Sequence, residues 1–138
     1  MQTMPHGSIL RALGIALVLA SPALADTPLT AAQFEAYVTG KTLTYGQDGQ
    51  AYGIEEYLPN RQVRWSYLGD ACLDGHWYPQ GTAICFAYDG ADPPQCWKFF
   101  LGTQGLSARF LGDPNPVPLY EIAQSPKPMV CPGPRIGV

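Results

Sequence analysis

The sequence predicts a mainly β protein, a small antiparallel meander or partial barrel of six to eight short strands with one N-terminal helix and disulfide bracing. Three observations predict it. Residues 61–100 carry apolar runs separated by turn signals at 68–70, 79–81 and 89–94, so consecutive runs pair antiparallel. The strand-like runs from residue 41 onward follow one another with no helix between them, which excludes a parallel sheet and its long crossovers. The four cysteines, Cys72, Cys85, Cys96 and Cys131, follow an export-like leader, and cysteines in that setting form disulfides more often than metal sites.

The leader comprises residues 1–25. Arg11 precedes an apolar run from Ala12 to Ala20, and small residues lead to Ala25, where a signal peptidase would cut. The run is too short for the roughly 20 residues of a spanning helix, so no membrane insertion is expected after cleavage, and the expected location is periplasmic or secreted. The mature 113 residues suit a domain at 26–112 and a proline-rich tail at 113–138 packed on it. All 16 aromatic residues lie in this mature part. Arg11 leaves with the leader, so 7 basic face 11 acidic side chains, a net charge of −4 with no basic patch. Nucleic acid is therefore not an expected partner.

Thr30 and Gln33 form a capping box, Leu29 and Phe34 a hydrophobic staple, and Gly40 a stop, which defines a short helix with a Phe34, Tyr37, Val38 stripe. So short a helix must dock that stripe on the sheet. Asp48-Gly49 is a hairpin signal. Beyond it Tyr52, Ile54, Glu56 and Leu58 alternate with Ala51, Gly53, Glu55 and Tyr57. Pro59-Asn60 turns the chain into Val63, Trp65 and Tyr67, which share a face. A hairpin centred between Gly90 and Ala91 sets Cys85 opposite Cys96, Ile84 opposite Trp97 and Phe86 opposite Gln95. Cys72 with Cys131 then follows by elimination. Leu106, Ala108 and Phe110 alternate in a further strand. Seven prolines in residues 113–138 argue against a central strand there, leaving residues 117–122 as an edge strand at most.

The helix followed by Gly-Lys-Thr-Leu at 40–43, Glu-Tyr-Leu-Pro at 56–59, Val-Arg-Trp at 63–65, Gly75-His76-Trp77, Ile84-Cys85-Phe86 and Cys96-Trp97 resembles a family of uncharacterised exported (periplasmic) bacterial proteins. The likeness spans about residues 30–100. It implies the compartment and the strand meander and brings no activity.

No catalytic constellation is legible. Glu55 and Glu56 are adjacent, so on a strand they face opposite ways and do not form an acid/base pair. His76 is the single histidine after the leader, no Gly-x-Ser-x-Gly elbow or Cys-x-x-Cys pair exists, and neither a metal nor another cofactor is expected. The aromatic residues either fill the core or line a cleft. In the cleft reading Trp65, Tyr67, Trp77 and Trp97 hold an apolar ligand and Glu56 is a pocket carboxylate. The leading functional expectation is a monomeric, non-enzymatic interaction or inhibitor-like module acting on an envelope protein through loops 68–75 and 89–95. A carrier of small apolar or aromatic molecules is the alternative, with a hydrolase behind both. An interior void of about 300 Å³ or more favours the carrier.

Overall fold

The computed structural model describes residues 27–131. Helix α1 (Ala31–Val38) precedes eight strands: β1 (Thr42–Gln47), β2 (Gln50–Tyr57), β3 (Gln62–Tyr67), β4 (Leu73–Gln80), β5 (Ala83–Tyr88), β6 (Gln95–Gly102), β7 (Gly105–Phe110) and β8 (Leu119–Ser125). Each strand pairs antiparallel with the next, and β8 pairs with β1, so the sheet closes into an up-and-down barrel. Closure leaves no free strand edge. The leader falls outside the described residues.

The helix ends are built as their sequence predicts. The Thr30 hydroxyl accepts from the Gln33 amide while the Gln33 side chain accepts from the Thr30 amide. Gly40 takes a positive φ of 83° and its amide donates to the Tyr57 carbonyl, which turns the chain directly into β1. Phe34 and Val38 are fully buried. The Phe34 ring meets Tyr57, Trp77, Phe86 and Phe99 inside the barrel, so α1 plugs the end where β1, β3, β5 and β7 begin.

The Asp48-Gly49 turn has both residues at positive φ, as a two-residue hairpin with right-handed strand twist requires. The β5–β6 hairpin has the predicted register, with Ile84 opposite Trp97, Cys85 opposite Cys96 and Phe86 opposite Gln95. Both disulfides join the expected partners, Cys85 with Cys96 at 4.0 Å between Cα atoms and Cys72 with Cys131 at 5.6 Å. Pro79, expected in a turn, instead lies within β4 opposite Ile84.

The proline-rich segment departs from expectation more substantially. It was expected to pack on a domain ending at residue 112, without a central strand. Residues Leu119–Ser125 instead form β8, paired on both sides and completing the barrel. The physical reason is placement: prolines stand at 114, 116, 118, 126 and 128, flanking a proline-free run that offers every amide to its neighbours. Beyond β8 the chain doubles back along the outer wall. The Thr42 hydroxyl donates to the Lys127 carbonyl, the Met129 amide donates to Glu56, and Cys131 ends bonded to Cys72. Residues 126–131 thus form a strap from the plugged end to the opposite one.

Candidate functional site

Side chains alternate across each strand, so the barrel interior is set by register. Opposite pairs Glu55 with Trp65, Gly53 with Tyr67 and Tyr57 with Val63 point inward from β2 and β3. Leu73, Gly75 and Trp77 continue the set on β4, then Phe86 and Tyr88 on β5, with Trp97 and Phe99 on β6. At the plugged end these side chains pack solidly around Phe34. Toward the other end they separate and enclose a cavity of about 170 Å³, walled by residues that include Tyr45, Glu55, Tyr57, Trp65, Tyr67, Phe86, Tyr88 and Trp97. Tyr52 and Tyr67, 37% and 40% exposed, stand at its mouth.

The size decides what could enter. The cavity falls short of the void of about 300 Å³ that was to favour a carrier, so a drug-sized ligand does not fit. It is comparable with the engineered cavity of about 150 Å³ that binds benzene. It therefore suits a molecule of one ring. A second hollow of about 190 Å³ lies beneath the 111–118 loop and shares Tyr52, Trp97 and Leu119 with the first.

One glycine makes the wall possible. A Cβ at Gly53 would collide with the indole of Trp65, which packs against the bare backbone. This is how β2 passes beneath an indole and still keeps its ladder to β3.

The polar side chains lining the cavity are Glu55, its tyrosines and Gln95. Glu55 is 2% exposed, and the Tyr88 hydroxyl donates to both carboxylate oxygens at 3.0 Å. Beside it the Tyr45 and Tyr57 hydroxyls share a hydrogen bond of 2.8 Å. Burial pushes Glu55 well above the usual carboxylate range, and the Tyr88 hydrogen bond offsets this in part. Burial likewise raises Tyr45, Tyr57 and Tyr88, and the nearby Glu55 adds to each shift. The ion pairs among the described residues join Glu35 to Arg61 and Arg64 to Glu56 and Asp74; none reaches Glu55.

Of the residues singled out in the sequence, Trp65, Tyr67 and Trp97 line the cavity. Trp77 does not; it is buried at the plugged end, between Phe34 and the Arg61 guanidinium. Glu56 points outward, beneath the strap, where it accepts from the Met129 amide and lies 4.0 Å from Arg64. The carboxylate inside is Glu55. His76 lies exposed on the outer face of β4. The residues that sequence reasoning passed over are Glu55, Tyr88, Tyr45 and Tyr57. Pairing β2 across the 58–61 turn onto the Val63, Trp65, Tyr67 face is the signal that reaches Glu55.

No protein-family model, curated protein or solved structure matches this chain.

Proposed function

We propose that the protein is an exported binding barrel that takes one small, ring-sized molecule into its open end. The observation that carries this reading is the aromatic cavity of about 170 Å³, closed below by Phe34 and open at Tyr52 and Tyr67. Pockets of this kind, mostly apolar with a few convergent polar groups, are where small ligands bind. A barrel that only needed stability would pack this volume, since lost contacts at a void are costly. The two disulfides agree with an oxidising compartment, and the likeness to exported bacterial proteins agrees with a periplasmic or secreted one.

An interaction module is the second reading. It is favoured by Leu68, Leu111 and Val117, exposed on the loops around the open end. Native mass spectrometry on protein recovered gently from its own cells separates the two. An added mass of one small organic molecule, lost on unfolding, supports the carrier. A stable complex with another protein, with no small-molecule adduct, overturns the carrier in favour of the module.

A further inference from the structure

We infer that the ligand is an organic cation: a small aromatic or alkyl ammonium whose charged group sits against Glu55 and whose body is held by the surrounding rings. This rests on the binding-barrel reading above and names the chemical class it would take. Three independent features converge on it.

The first is a buried carboxyl with no cationic side chain beside it. Glu55 is enclosed by Tyr45 from β1, Tyr57 from β2, Trp65 from β3 and Phe86 and Tyr88 from β5, and no lysine, arginine or histidine lines the cavity. A buried carboxylate calls for a partner. Among the described residues a single hydroxyl, that of Tyr88, bonds to it. A bound ammonium would be the opposite charge that favours the ionised form of Glu55.

The second is the wall. The cavity presents tyrosine, tryptophan and phenylalanine faces from five strands. Electron-rich ring faces attract ammonium groups, and several of them around one carboxylate form a cage for such a group.

The third is the distribution of charge among the loops at the two ends of the barrel. Up-and-down topology places the β1–β2, β3–β4, β5–β6 and β7–β8 loops at the open end. Those loops carry Asp48, Asp70, Asp89, Asp92 and Asp113, all exposed, and no lysine or arginine. At the plugged end, the segments between elements and just after β8 carry Lys41, Arg61 and Lys127, of which Arg61 is paired with Glu35 of α1. A rim of one sign above a low-dielectric hollow concentrates ions of the opposite sign and speeds their entry.

The test uses three probes of nearly equal shape on the full mature protein with its disulfides intact: benzylammonium, benzyl alcohol and benzoate. Binding is read by calorimetry and by the change in tryptophan fluorescence. Benzylammonium is expected to bind about ten- to a hundredfold more tightly than benzyl alcohol, as one charge-assisted contact provides, and benzoate most weakly. In Glu55→Gln the preference for the cation over the alcohol should vanish. Added salt should slow association of the cation and leave the alcohol unaffected. If the alcohol or benzoate binds as well as the cation in the native protein, the cation assignment falls and the binding barrel stands. If none of the three binds, both fall. The comparison of probes on the native protein holds whether or not the variant folds.

Discussion

Glu55 makes a stability prediction of its own. Its folded pKa lies above that of an unfolded glutamate because burial disfavours the charge. The native state therefore keeps this proton where the unfolded chain has released it, and this contribution to stability is lost as pH rises from the ordinary carboxylate range through the raised value. Glu55→Gln, which keeps shape and removes the titration, should melt higher than the native protein at neutral pH, with the gap closing at acid pH. Thermal melts of both across that range check it, and parallel curves would show that the Glu55 pKa is the same in the folded and unfolded states. The same residue shows what the β1–β2 hairpin alone does not reveal. A regular ladder from the Asp48-Gly49 turn puts Leu43 and Tyr45 opposite Ile54 and Tyr52, which is the face containing Glu56. A bulge at Tyr52 shifts the register, so that Tyr45 faces Gly53 and Leu43 faces Glu55. One extra residue exchanges the two faces beyond it, and no residue type at that point announces it.

At the scale of elements, α1 is the part most fully written in the sequence, since its caps and stripe are local chemistry. Its role as a plug is not local, because that depends on which end of a closed sheet the chain enters. Phe34→Ala would leave a void among Tyr57, Trp77, Phe86 and Phe99 and should cost about 3–5 kcal/mol in denaturant unfolding. A cost below about 1 kcal/mol would mean that the barrel floor holds without the helix. The hairpins were also legible, from turn residues and alternation alone. β8 was not, because the proline count of its region obscured the one stretch free of proline. Cleft and filled core stayed open as alternatives for a related reason: composition reports how many rings there are, and only closure decides whether they meet.

At the scale of the molecule, the strap and its disulfide tie the last described residues to the loop before β4. In the chain-entropy model a loop of 59 residues is worth about 4 kcal/mol. Replacing Cys72 and Cys131 together by serine should lower the melting temperature, keep the far-ultraviolet circular dichroism of the barrel, and open residues 126–131 to limited proteolysis. Loss of the β spectrum instead would make the strap a condition of folding. The closure of the barrel has a temporal consequence. Seven of its eight seams join strands that follow directly in the chain, whereas the seam between β1 and β8 joins residues such as Thr42 and Ser125 from opposite ends of the domain. Contacts between near neighbours form early and distant ones late, because a long loop costs more entropy to close. The chain then assembles as an open ribbon in which both walls of the ligand chamber are present but not yet facing. The chamber comes into being only in the last step, when the C-terminal strand arrives.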